Sequence, residues 1–233
     1  MMSPPPSLPS TLPLFPLGTV LFPHMEMPLY IFEERYKRLL RDRGGDDLAF
    51  GVVLIRTGFE VGETAEPYDI GTAATILARR DYEDGRHDLV VRGAQRFRIL
   101  ATEDTQGYLV GTVEWLEPVT GCDTEPSAVD QVWDAFLQLA NAYLKQARLT
   151  DDGNAQIQPP ERPTEMDACA LAYLLASRLP IAQKDRQHLL TLNTSQELIQ
   201  ELQRILAQER RLVSTIGATA VVATRPGTAE EAD

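Results

Sequence analysis

Along the first half of the chain, apolar positions come in short runs divided by turn residues. Phe50, Val52, Val53, Leu54 and Ile55 make one run of buried-strand length that stops at Thr57-Gly58. Residues 73–77 make a second. Glu83-Asp84-Gly85 stands between 75–82 and 87–91, which predicts a hairpin whose glycine supplies positive φ. Phe97, Ile99 and Ala101 then alternate with Arg96, Arg98 and Leu100, and Gln106-Gly107 turns the chain into 108–116. Short strands at this spacing predict an antiparallel barrel or sandwich. One helix interrupts them over 31–40, with Ile31, Tyr36, Leu39 and Leu40 on one side and Glu33, Glu34, Arg35, Lys37, Arg38 and Arg41 outside. Its acidic residues lead and its basic ones follow, as the helix dipole favours.

After Pro118 the period changes. Val129, Val132, Trp133, Phe136, Leu137, Ala140, Tyr143, Leu144 and Ala147 step by threes and fours, predicting one long amphipathic helix. The polar, Pro-rich 150–163 reads as a loop. Thr164 is placed to cap a second helix through Leu171, Leu174 and Leu175 to the break at Pro180, and 183–190 predicts a third. Thr194 and Glu197 have capping-box spacing for a fourth, striped by Leu198, Leu202, Ile205 and Leu206. The stripes imply a bundle packed on itself. The expected organisation is therefore a disordered arm over 1–10, a β-barrel over 11–118, a helical bundle over 119–213 and a disordered tail over 214–233.

Charge sharpens this picture. Lys and Arg number 22 against 34 Asp and Glu, a net of -12 in 233 residues. The deficit spreads as -6, -4 and -2 over 11–118, 119–213 and 214–233, so no segment is basic. Such a chain repels phosphate backbones and anionic lipid at long range. Two local basic groups, Arg35, Lys37, Arg38, Arg41 and Arg43 on the first helix and Arg92, Arg96 and Arg98 on one strand face, are expected to be solvated and interleaved with carboxylates. Cys122 and Cys169, 47 positions apart, have no metal-type spacing with His24, His87 or His188. They are expected to be reduced thiols of a cytoplasmic protein. No leader peptide is expected from the Pro-interrupted start, and no run of roughly 20 apolar residues occurs in the sequence.

The residue types that chemistry requires are missing in the right order. Lys37, Lys145 and Lys184 are the only lysines and none follows a glycine, so a phosphate-cradling Gly-Lys-Ser/Thr loop cannot be built. The dinucleotide glycine spacing, the nucleophile elbow and HExxH are also absent. Glu33 and Glu34 are adjacent on a helix and point apart. The expectation is a protein without catalytic residues, cofactor or metal.

The most informative stretch runs from Leu12 through Phe15-Pro16, Gly18, Phe22-Pro23, Pro28 and Ile31-Phe32-Glu33-Glu34-Arg35-Tyr36. It resembles the opening of the Lon protease N-terminal domain family, and the resemblance continues through Phe50-Gly51-Val52-Val53, Gly71-Thr72, Asp84-Gly85-Arg86, Gly93 to Ile99, Leu179-Pro180-Ile181 and Lys184 to Leu190. It covers 12–213. His24 stands where that family commonly has Gly, and Tyr30 where His is common. The resemblance implies an α+β fold, a PUA-like antiparallel β-barrel followed by a C-terminal helical bundle. It also implies recognition of unfolded or damaged polypeptide for a protease, without the ATPase and Ser-Lys proteolytic modules of the full-length enzyme.

The loop around Phe22, His24, Met25 and Met27, with Tyr30 beyond it, offers adaptable methionines and aromatics to apolar peptide segments. The structural alternative is that Phe22, Met25 and Met27 fill the barrel mouth. Competing functions are an RNA-binding PUA-like module and an adaptor that docks on a separate ATP-dependent protease. The expected partners are unfolded polypeptides and a protease or ATPase, with neither membrane nor nucleic acid.

Overall fold

The computed structural model describes residues 8–43, 50–60, 65–104, 107–121, 126–150 and 166–216. Within them β1 (Thr11–Leu17), β2 (Glu26–Ile31) and α1 (Glu34–Arg43) come first, then β3 (Phe50–Thr57), β4 (Glu66–Pro67), β5 (Ile70–Asp81), β6 (His87–Asp104) and β7 (Leu109–Trp115). The helices α2 (Pro126–Thr150), α3 (Ala168–Arg178), α4 (Gln183–Thr191) and α5 (Ser195–Ile216) follow. The fold is α+β, strands before helices.

Hydrogen bonding runs β1-β7-β6-β5-β3 and returns to β1, closing a ring. The closing pair is parallel, Leu14↔Gly51 through Leu17↔Leu54, whereas every other strand pair is antiparallel. A parallel neighbour needs a long crossover, which β2 and α1 supply. The two runs expected at 87–91 and 96–101 are one strand of 18 residues. It stays continuous because the register shifts between Thr72 and Ala74, between Ile76 and Ala78 and between Ile99 and Ala101 let it bend. The helix expected from residue 31 starts at Glu34, because Met27 and Ile31 alternate inward and carry β2 that far.

Inside the ring, Leu12, Leu14, Val53, Ala73, Phe97 and Val113 form one cluster. Gly71 makes room for it: a Cβ there would stand 2.5 Å from the Val52 carbonyl oxygen and 2.8 Å from the Phe97 ring. Under α1, a second cluster joins Tyr36, Leu39 and Leu40 to Phe15, Met27, Ile31 and Phe50. The helical stripes bury Val132, Trp133, Leu171, Leu175, Leu198 and Leu202 together with Phe22 and Leu54 from the β half. Thr164 lies outside the described residues, and the cap of α3 is Asp167, which accepts from the Ala170 N–H at 2.8 Å. At α5 the capping box forms in both directions, Glu197 N–H to Thr194 Oγ1 at 3.2 Å and Thr194 N–H to Glu197 Oε2 at 3.3 Å.

The two halves are tied by polar bonds. Arg96 is 3% exposed and donates to the carbonyls of Leu190 at 2.8 Å, Leu192 at 2.6 Å and Glu117 at 3.2 Å. Gln187 Nε2 donates to the Ile70 carbonyl at 2.8 Å. The expected solvated face therefore fails at Arg96, which the end of α4 covers. It holds at Arg92 and Arg98, which are exposed and paired with Glu26 at 2.5 Å and Glu114 at 2.9 Å. On α1, Arg35 pairs with Glu33 at 3.0 Å and Lys37 with Glu34 at 2.9 Å.

Candidate functional site: an apolar cleft between two strands and a helix

Beyond the stretch where β1 pairs with β7, its second half bonds only to β3 among the described strands, and β2 bonds only to β6. Between β1, β2 and the start of α1 opens a cleft of about 470 Å³. Phe15 and Leu17 form one wall, Met25, Met27 and Leu29 the other, and Tyr36 the base. The Phe15 and Tyr36 ring centroids lie 4.1 Å apart, and burial pushes the Tyr36 hydroxyl up to about 12. The charged side chains of the lining are carboxylates, Glu33 and Glu60. On the rim, Tyr30 is 47% and Phe32 46% exposed, with their rings 5.8 Å apart. Arg86 donates to the Tyr30 hydroxyl and stacks over its ring at 5.6 Å.

Of the five residues singled out from sequence, Met25, Met27 and Tyr30 line this cleft. Phe22 does not reach it. Its ring is 0% exposed and stacks on Tyr173 of α3 at 5.4 Å, so it belongs to the core shared with the helices and not to the barrel mouth. His24 also points elsewhere. It is exposed and lines a second cavity of about 280 Å³ with Gln95, Arg96, Val119, Cys169 and Tyr173. The divergence comes from the backbone between them. His24 has φ +64 and its N–H donates to the Gly93 carbonyl at 2.8 Å, while Gly93 N–H donates to the Met25 carbonyl at 2.9 Å. A Cβ on Gly93 would stand 2.1 Å from the Phe22 carbonyl oxygen, so only glycine allows this approach.

Sequence reading missed Phe15, Leu17, Phe32 and Tyr36 as cleft residues. The signal was present in 27–32: Met27 and Ile31 are buried while Pro28, Tyr30 and Phe32 are exposed, the alternation of a half-buried strand. Met27 thus belongs to β2 and not to the loop expected around it.

The described lining of the cleft holds no histidine, cysteine or lysine. Among the described residues no group of three or more His, Cys, Asp or Glu is placed to hold a metal, and no helix is long and apolar enough to cross a membrane. Among the described residues the buried Tyr173 hydroxyl at the second cavity has no hydrogen-bond partner. The expectation of reduced thiols fails at Cys169, which is disulfide-bonded. Cys122, the chain's other cysteine, lies outside the described residues.

The described residues thus form a closed strand ring carrying an open apolar cleft, backed by helices. Residues 11–208 match the family described as the ATP-dependent protease La (LON) substrate-binding domain. The chain belongs to that family. It is 32% identical over 202 residues to Lon protease 2 of Herpetosiphon aurantiacus, covering 85% of this chain and 24% of that protein. To Lon protease of Escherichia coli it is 28% identical over 208 residues, covering 85% and 25%. It thus spans about a quarter of the length of these relatives. Among solved structures, a Lon N-terminal domain protein from Xanthomonas campestris matches with a TM-score of 0.57 and 28% identity, covering 84% of this chain and 97% of that one. The N-terminal domain of a Mycobacterium avium complex Lon protease shares the fold at a TM-score of 0.56, with 17% identity over 84% of this chain and 98% of that one.

Proposed function

We propose that this chain is a non-catalytic polypeptide-binding domain that takes up unfolded or damaged chains in protein quality control through the cleft between β1, β2 and α1. One observation carries the reading: a member of the LON substrate-binding domain family displays an apolar cleft of about 470 Å³ rimmed by two half-exposed aromatic rings. Removing apolar surface from water contributes about 25 cal/mol per Å², so such a site favours segments that native proteins keep inside. Met25 and Met27 add unbranched thioethers that conform to varied side chains.

ATP hydrolysis is not assigned to these residues in this reading, because they offer no Gly-Lys-Ser/Thr loop. RNA binding finds less support, since Arg92 and Arg98 are paired with carboxylates and Arg96 is buried. The test is fluorescence anisotropy of a reduced and alkylated, permanently unfolded protein titrated with this chain. Tyr30→Asp and Phe32→Asp should each weaken binding about tenfold or more while the melting temperature holds, because both rings are half-exposed. No binding by the wild-type protein, or binding indifferent to both changes, overturns the reading.

A further inference from the structure

The outer edge of β2 carries information that the cleft's side chains do not. In an antiparallel pair, residues alternate between exchanging both backbone bonds with the partner and turning both away. Met25 C=O accepts from Gly93 N–H at 2.9 Å, and the register continues as Met27↔Val91, Leu29↔Leu89 and Ile31↔His87. Those positions therefore face β6. Glu26, Pro28 and Tyr30 turn their backbone groups away from it, and all three residues are exposed. Proline at the middle of the three fits, because it has no N–H to bond to β6. Among the described strands no second neighbour takes up this edge. It offers three carbonyl acceptors and two N–H donors beside the cleft.

We propose, resting on the polypeptide-binding reading above, that β2 takes its guest as an added β-strand. The guest is an extended segment with apolar side chains at alternate positions, one set entering the cleft, and with Lys or Arg at its ends. Strand addition supplies affinity through the main chain, which every polypeptide has, and leaves side-chain choice to the pockets. The basic ends follow from charge. The charged lining residues are Glu33 and Glu60, Arg35 beside them pairs with Glu33 at 3.0 Å and so offsets one of the two carboxylates, the rim cation Arg86 is engaged by Asp84 at 2.6 Å, and the whole chain is at -12. A second copy of this chain is a poor occupant. Pairing two β2 edges about their centres sets Pro28 against Pro28 with no donor on either side, and the two chains repel.

The experiment uses the wild-type protein and one synthetic peptide of alternating apolar and polar residues with lysine ends. The peptide is made in three forms: unmodified, N-methylated on the odd backbone nitrogens, and N-methylated on the even ones. Successive N–H groups of a strand point to opposite edges, so only one isomer loses the donors that face β2. That isomer should bind about tenfold or more weakly, since the hydrogen bonds to the outward carbonyls of β2 are lost. The other should match the unmodified peptide. Equal binding of both isomers overturns strand addition and leaves the polypeptide-binding reading standing, whereas failure of the unmodified peptide and of unfolded protein to bind overturns both. A peptide with glutamate ends should bind several-fold more weakly than the lysine form; equal affinity overturns the basic ends.

Discussion

Arg96 of β6 holds the carbonyl oxygen of Leu192, at the end of α4, at 2.6 Å with the same nitrogen that bonds Leu190 at 2.8 Å. A guanidinium can bridge several carbonyls because its donors are fixed in a plane. Arg96→Met keeps the bulk and removes every donor, leaving buried carbonyls at about 1–3 kcal/mol each. The expected loss is about 3 kcal/mol or more in urea unfolding. Arg96→Lys should recover only part of it, since an ammonium cannot reproduce the fork.

Gly93 and His24 set the turn that separates core Phe22 from cleft Met25. Gly93→Ala drives a methyl into the Phe22 carbonyl and should cost about 3 kcal/mol, the upper part of the range for overpacking. At position 24, φ is +64, so His24→Gly should leave stability equal or raised by up to about 1 kcal/mol. His24→Val should lower it, because a β-branched residue tolerates positive φ poorly. Chemical denaturation of the three variants measures all of these changes.

Alkaline pH should weaken the fold in a defined window. Burial raises the Tyr36 and Tyr143 hydroxyls from 10.0 to about 12, so between those values the unfolded chain has lost protons that the folded chain retains. Stability is then full below pH 10 and falls as pH rises toward 12. Ultraviolet titration of tyrosinate should show late-titrating tyrosines that shift to ordinary values in urea. Tyr36→Phe should make the decline shallower.

How much of this was legible in the sequence differs by level. Periodicity alone separates strands from helices, and the Thr194–Glu197 box and the Glu83-Asp84-Gly85 turn stand where their residue chemistry puts them. Pairing is less legible. The parallel β1–β3 contact pairs residues 37 positions apart, and no local pattern encodes which strand closes a ring. Arg96 looked like its neighbours Arg92 and Arg98 because burial of an arginine depends on what a distant helix end covers. The candidate site was half visible for a related reason: Met27 and Tyr30 follow from strand alternation once Pro28 is accepted as an edge residue, while Phe15 and Tyr36 reach the cleft only through the closure of the ring over α1.

The central claim, that unfolded polypeptide binds in the cleft of β1, β2 and α1, is tested most directly by amide hydrogen exchange of this protein with and without a saturating unfolded chain. Protection should appear at Glu26 and Tyr30, whose amides face outward, and extend over the rest of β2 and the start of α1. Protection confined to α2, α3, α4 and α5, with β2 unchanged, would contradict the account.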